Sequence, residues 1–169
     1  MARHKTSFAG PTRRPYSSTL GIMIERCISI EQPGWLPLRQ ALWPHASREA
    51  HLAEMSLLIS NPGRYMQFIA YIPSRLAVGF VEASLRSDYV NGTDSSPVAF
   101  LEGIYVAAEH RRQGIAARLV DAVAAWATSL GCREFASDAP LENELSQEVH
   151  KALGFRETER VVFFRKVLR

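Results

Sequence analysis

Arg111-Arg112-Gln113-Gly114-Ile115-Ala116 stands between two patterned stretches. Before it, Phe100-Leu101-Glu102-Gly103-Ile104-Tyr105-Val106 is a bounded apolar run rich in aromatic and β-branched residues, which predicts a buried strand. After it, Ile115, Leu119, Val123, Trp126, Ala127 and Leu130 recur at three- and four-residue steps, which predicts a helix with one apolar face that Gly131 can end. Strand, glycine turn and helix therefore follow in that order. The first N–H groups of such a helix lack intrahelical partners and the macrodipole is positive there, so an anion is favoured. Gly114 lets the backbone approach the anion, and Arg111 and Arg112 add positive charge. On these six residues alone, a helix start flanked by solvated arginines is an equally good reading. A P-loop would need lysine and then serine or threonine after its second glycine, and a dinucleotide fingerprint three spaced glycines; neither is present.

Working outward, 169 residues suit one domain with a full core, and the charged fraction of 22% is that of an ordinary globular chain. No apolar run approaches the ~20 residues of a membrane span, and no signal-peptide core is visible, so a cytoplasmic, non-membrane protein is expected. Cys27 and Cys132 make no disulfide framework, and no spacing resembles a metal ligand set, so no metal is expected. The pI near 9.1 points towards nucleic acid only superficially. Residues 1–22 hold Arg3, Lys5, Arg13 and Arg14 and no acid, more than the whole chain's formal +3, so residues 23–169 carry −1. A basic footprint is thus absent from the body, and no nucleic-acid partner is expected.

The first 22 residues are polar, carry Gly10, Pro11 and Pro15, and show no apolar period, which predicts a disordered, dispensable N-terminal extension before a domain at residues 23–169. In that domain the pattern predicts strands at residues 23–30, 66–72, 76–85, 100–106, 134–137 and 160–167. Helices are predicted from Trp35 to Leu42, after a Ser47 cap, from Ile115, and over residues 143–153. The order β-α-α-β-β-β-α-β-α-β implies an α/β fold, a mixed sheet with helices on its faces.

With this order in place, the opening stretch resembles the Arg/Gln-x-x-Gly-x-Gly/Ala loop by which acyl-CoA N-acyltransferases of the GNAT superfamily hold the pyrophosphate of coenzyme A. Leu101, Tyr105 and Val106 are similar to that superfamily's strand pattern, and Gly154-Phe155 to the pair ending its last helix. The resemblance implies a mixed, mostly antiparallel sheet with a V-shaped splay, for which Gly103 suits a bulge. A narrower resemblance rests on Leu38-Arg39, Leu42-Trp43-Pro44, Asp88-Tyr89-Val90-Asn91-Gly92-Thr93, Ser95-Ser96-Pro97-Val98, Glu134-Phe135-Ala136-Ser137-Asp138 and Glu157-Thr158-Glu159-Arg160. Several of these blocks are polar and fall in loops, where a generic core would not dictate them. They are similar to the aminoglycoside 6′-N-acetyltransferases.

That resemblance implies acetyl-CoA as co-substrate, an aminoglycoside such as kanamycin or tobramycin as acceptor, inactivation of the drug as the outcome, and a homodimer formed through the C-terminal strand. By matching position, Trp43, His45, Tyr89, Glu102, Asp138 and Glu159 would line the acceptor site. Ile104, Tyr105, Val106, Arg111, Arg112, Gln113, Gly114, Ile115, Ala116 and Asn143 would hold acetyl-CoA. Chemically, carboxylates and aromatic faces suit a polycationic sugar. A carboxylate must also take a proton from the attacking amine, with Asp138 or Glu102 the candidates and Asp138 the first choice. His150 stands where many members place a tyrosine that protonates the departing thiolate, so it is either that acid or a residue on the helix's polar side. Another amine acceptor (a protein N-terminus, lysine or polyamine) and a non-catalytic acyl-CoA sensor are the alternatives.

Overall fold

The structure, a computed structural model, describes residues 21–168. Five strands form one sheet in the order β1 (Met23–Arg26), β2 (Tyr65–Tyr71), β3 (Ala77–Arg86), β4 (Val98–Val106) and β5 (Phe135–Ser137). The first four pair antiparallel, and β5 joins β4 in parallel over only Ala99, Phe100 and Leu101. Two helices, α1 (Trp35–Leu42) and α2 (Arg48–Ser60), cover one face, and α3 (Ile115–Ser129) covers the other. A short α4 (Glu144–Ala152) follows β5.

Local chemistry sets these boundaries. Ser47 caps α2 by accepting from the Ala50 N–H, and Gly131, at φ +81°, stops α3. The apolar stripe of α3 buries Ile115, Leu119, Val120, Val123 and Ala127 against Val78, Val81 and Leu101 of the sheet. On the opposite face Trp35, Leu38 and Met55 pack against Ile69, Tyr71 and Phe80. Alternate residues of β2 and β3 thus serve two cores, which is why these strands read as nearly continuous apolar runs.

Three expectations need correction. The first strand ends at Arg26 rather than running to residue 30, and Ile28 stands exposed. The strand expected at residues 160–167 is not formed: its apolar pattern is present, but a strand needs a ladder partner, and this segment pairs with none of the five strands. Phe163 and Phe164 are 86% and 93% exposed there. Of the extension expected over residues 1–22, residues 1–20 lie outside the described residues, while Ile22 is buried in the α3-side core. No helix among the described residues is long and apolar enough to cross a membrane, and no cluster of three potential metal ligands occurs among them.

Leu119 is fully buried against β3, where a Cβ at Gly79 would lie 3.4 Å from its Cδ1. Leu119→Ala is expected to cost about 2–5 kcal/mol in urea denaturation; a loss well below about 1 kcal/mol would contradict this packing.

Candidate active site

The site is organised by an irregularity in β4. Glu82 of β3 pairs with Gly103 and Ala83 with Leu101, so Glu102 is the extra residue of a β-bulge. Ser84 and Glu102 are hydrogen-bonded, and Trp43 packs on Gly103, so these two consecutive β4 residues share the face covered by α1. A Cβ at Gly103 would lie 2.5 and 2.6 Å from two ring carbons of Trp43. Glycine is required there because the indole occupies the space.

The bulge also re-aims the backbone. Leu101 C=O lies on the β5 side, where the Ser137 hydroxyl reaches it at 3.4 Å. Beyond the bulge, Ala107 N–H donates to Val78 C=O on the β3 side. By strand alternation Tyr105 also faces β3, whereas Ile104 and Val106 direct their N–H and C=O groups the other way. Since β5 stops pairing at Leu101, that edge is open, and it forms the expected splay. Arg111 Nε donates to Val106 C=O at 2.9 Å, and its guanidinium lies 5.7 Å from the Tyr105 ring centroid.

Past a single 3-10 turn, residues 111–114 turn into the start of α3. Gly114 caps α3 at φ +78° and Arg112 sits at φ +57°, so consecutive amides turn towards one side. A Cβ at Gly114 would meet nothing within 4 Å, so positive φ, not crowding, selects glycine. Arg111, Arg112 and Gln113 are exposed, Ala116 is half-buried, and Ile115 anchors the helix start in the core. Asn143 caps α4 through Oδ1, which accepts from Ser146 N–H at 3.0 Å and leaves its amide N–H groups as donors. An open strand edge, a positive helix end and an asparagine donor fit an acyl-CoA with its amide-rich arm and pyrophosphate.

On the other side of the splay, Glu102 and Tyr89 share an open cavity of about 620 Å³ with Tyr65, Ser84, Arg64 and Arg86. The Glu102 carboxylate accepts from the Ser84 hydroxyl and, through both oxygens, from Arg86 Nη2 at 3.0 and 3.2 Å. The Arg86 guanidinium lies 3.4 Å over the Phe100 ring. Glu102 is therefore a fixed anion whose two oxygens are engaged. Asp138, just past the last paired residue of β5, is exposed and makes no side-chain hydrogen bond among the described residues. Glu159 stands exposed on the C-terminal segment, whose neighbouring Thr158 lies directly over Gly92 of the Tyr89 loop. His45 is exposed and is not brought into contact with the others.

His150 does not face the helix's polar outer side. Its Nδ1 lies 2.7 Å from Ser146 C=O, which makes Nδ1 the protonated nitrogen of the neutral ring. Its Nε2 lies 2.8 Å from Ser137 Oγ and so accepts from that hydroxyl. Phe155 braces the ring edge-on at 5.4 Å. The dyad ends where β4 and β5 part.

The structure adds a buried polar cluster that the sequence reading did not single out. Glu82 is 3% exposed, accepts from Trp35 Nε1 at 2.7 Å, and faces Arg39 Nε at 3.4 Å. Burial pushes its carboxyl up to about 7 against the opposing pull of Arg39 and the Trp35 N–H. His51, fully buried in α2, lies 3.2 Å from Trp43 C=O through Nε2. The available signal was a carboxylate inside the apolar run Val81-Glu82-Ala83.

Residues 25–155 match the Acetyltransferase (GNAT) family. The chain is 55% identical over 132 residues to an aminoglycoside N(6′)-acetyltransferase type 1 of Acinetobacter genomosp. 13, covering 78% of this chain and 89% of that one. It is 53% identical over 146 residues to the enzyme of the same name from Serratia marcescens, covering 86% and 99%. Among solved structures, aminoglycoside antibiotic 6′-N-acetyltransferase AAC(6′)-Ih from Acinetobacter baumannii superposes with a TM-score of 0.83 at 50% identity, covering 88% of this chain and 100% of that one. AAC(6′)-Iy in complex with the bisubstrate analog CoA-S-monomethyl-acetylneamine gives 0.82 at 47% identity, covering 87% and 99%.

Gly103→Ala is expected to push Trp43 out of its seat, raising the KM for an acceptor several-fold while leaving acetyl-CoA binding near wild type. Equal loss of both affinities would contradict the separation of the two sides.

Proposed function

The chain belongs to the GNAT acetyltransferase family, and from that premise we propose that its bulged β4 separates an acetyl-CoA side from an acceptor side specialised for the 6′-amine of aminoglycosides. It is an acyltransferase that uses acetyl-CoA and acetylates aminoglycosides at the 6′-amine. The observation that carries the site assignment is the bulge at Glu102, which opens the β4 edge on one side and presents a fixed carboxylate on the other.

On the acetyl-CoA side, Ile104, Tyr105 and Val106 supply the strand edge, Arg111 to Ala116 cradle the pyrophosphate, and the Asn143 amide donates to the pantetheine arm. Ile104 N–H, aimed at the open edge, polarises the thioester carbonyl. On the acceptor side, Trp43 and Tyr89 cover sugar faces while Glu102, Asp138 and Glu159 hold ammonium groups; His45 stands nearby on the Trp43 loop.

Transfer is direct, in a ternary complex. Asp138 takes a proton from the 6′-ammonium, the neutral amine attacks the thioester carbon, and the C–S bond breaks. Glu102 anchors rather than deprotonates, because Ser84 and Arg86 already engage its oxygens. The proton that the attacking nitrogen loses passes to the thiolate through the Ser137 hydroxyl, which His150 Nε2 orients by accepting from it. Inactivation of the antibiotic, and hence resistance, follows from loss of the 6′ positive charge. Because acetyl-CoA is an intracellular thioester, the site of action is the cytoplasm. Residues 1–20 take no part.

The working form is a homodimer. The segment at residues 160–167 carries an unpaired strand pattern and exposes Val162, Phe163, Phe164 and Val167, while Leu145 and Val149 on α4 and Leu141 just before it are exposed apolar side chains. A second copy of this chain supplies the missing ladder and cover. Light scattering is expected to give twice the monomer mass, and Phe163→Asp with Phe164→Asp to give a monomer; a wild-type monomer would contradict the assembly.

A thiol-release assay tests the reaction. Kanamycin and tobramycin should be turned over, and an analogue with a 6′-hydroxyl should not; equal turnover of the hydroxyl compound, or turnover of a peptide N-terminus instead, would overturn the reading. Asp138→Ala should lower kcat about 100-fold or more, with acetyl-CoA affinity retained, and Glu102→Ala should chiefly raise the aminoglycoside KM.

A further inference from the structure

We propose that the buried pair Glu82–Arg39 is a positioning device that holds Trp43 against Gly103, and so sets the aromatic wall of the acceptor site without touching the substrate. The inference rests on Trp43 being that wall, as proposed above.

Glu82 and Gly103 are register partners, so the carboxylate lies on β3 directly beside the glycine on which Trp43 sits. Arg39, 3% exposed, links them. Its Nε faces Glu82 at 3.4 Å, and its guanidinium carbon lies 5.0 Å from the Trp43 ring centroid. Trp43 is also held edge-on by Phe80 at 5.9 Å. Its backbone is pinned at both groups: Trp43 N–H donates to Arg39 C=O at 2.8 Å, and Trp43 C=O meets His51 Nε2 at 3.2 Å.

This arrangement is poorly suited to stability alone. Arg39 Nε and Nη1, and Gln67 Nε2 on the strand register opposite Glu82, are buried without hydrogen-bond partners among the described residues. A buried ion pair with imperfect bonding is commonly no better for stability than apolar residues of the same volume. What charge supplies here, and a leucine would not, is a guanidinium held over the face of the indole.

The charges around Glu82 make the device responsive to pH. Arg39 faces it from α1, Glu54 from α2 (2.5 Å from Arg39 Nη2), Glu102 from β4, and the Cys27 thiol from beyond β1. Burial, more than any of these, raises the Glu82 carboxyl to about 7. Above that pH the carboxylate holds Arg39 as an ion pair; below it the neutral acid leaves Arg39 to the exposed Glu54. The wall is therefore held most firmly on the alkaline side of neutrality.

A double-mutant cycle on the full chain tests this, with wild type, Glu82→Gln, Trp43→Ala and the double variant assayed for the KM of kanamycin and of acetyl-CoA at about pH 6 and about pH 8. Glu82→Gln keeps an acceptor for the Trp35 N–H and removes the charge. It should raise the kanamycin KM about three- to tenfold at the higher pH, with kcat and the acetyl-CoA KM little changed. The gap should narrow at the lower pH, where wild-type Glu82 is itself protonated, and vanish in the Trp43→Ala background. Arg39→Lys, which keeps the charge but loses the planar stack, should reproduce the KM effect and serves if Glu82→Gln does not fold. A full additional effect in the Trp43→Ala background, a parallel rise in the acetyl-CoA KM, or an unchanged kanamycin KM would overturn the inference. Trp43→Ala with a normal kanamycin KM would instead overturn the wall assignment on which it stands.

Discussion

The β-bulge at Glu102 is the constraint from which the site follows, because one extra residue changes both the facing of side chains and the facing of backbone groups. A regular β4 would send Glu102 and Gly103 to opposite faces. With the bulge, both lie on the face covered by α1, one offering a carboxylate and the other leaving room for Trp43. The same inserted residue shifts the alternation so that Ile104 and Val106, not Tyr105, present their peptide groups to the edge that β5 abandons after Leu101. The loop at Gly114 and the start of α3 then lie downstream of that open edge in the same chain direction.

Electrostatics divide along the same line. The side proposed for acetyl-CoA is built from backbone donors, a helix start and Arg111, all of which favour an anion. The side proposed for the acceptor is built from carboxylates, with Arg86 holding Glu102 in place and the buried Glu82–Arg39 pair behind Trp43. In the proposed assignment a polyanionic cofactor takes the open edge of the strand and a polycationic acceptor the face beside it. Burying Glu82 disfavours its charged form and raises its carboxyl, and this strained residue lies beside Trp43.

Much of the fold was legible because periodicity and capping are local. Ser47, Gly114 and Gly131 mark helix ends by chemistry that needs no tertiary partner, and the two-sided burial of β3 shows as a continuous apolar run. What was not legible depends on partners. The segment at residues 160–167 has a strand's pattern, but a pattern does not name the edge it pairs with, and the segment joins none of the five strands of its own chain. Glu82 and Glu102 both appear in the sequence as carboxylates within apolar runs. Which of them is buried under helices and which reaches the cavity is decided by the bulge register, and that is invisible to a period-two pattern. The Ser137–His150 contact joins two elements 13 residues apart through a turn whose geometry composition does not specify.

The central claim is that the open edge of β4 and the start of α3 bind acetyl-CoA while the Trp43 face binds the aminoglycoside. Amide hydrogen exchange with each ligand added separately tests this directly. Acetyl-CoA is predicted to slow exchange at Ile104, Val106 and the first amides of α3 while leaving the Trp43 and Tyr89 loops unchanged, and kanamycin to do the reverse. Protection of the Trp43 and Tyr89 loops by acetyl-CoA, with Ile104 and Val106 unaffected, would contradict the account.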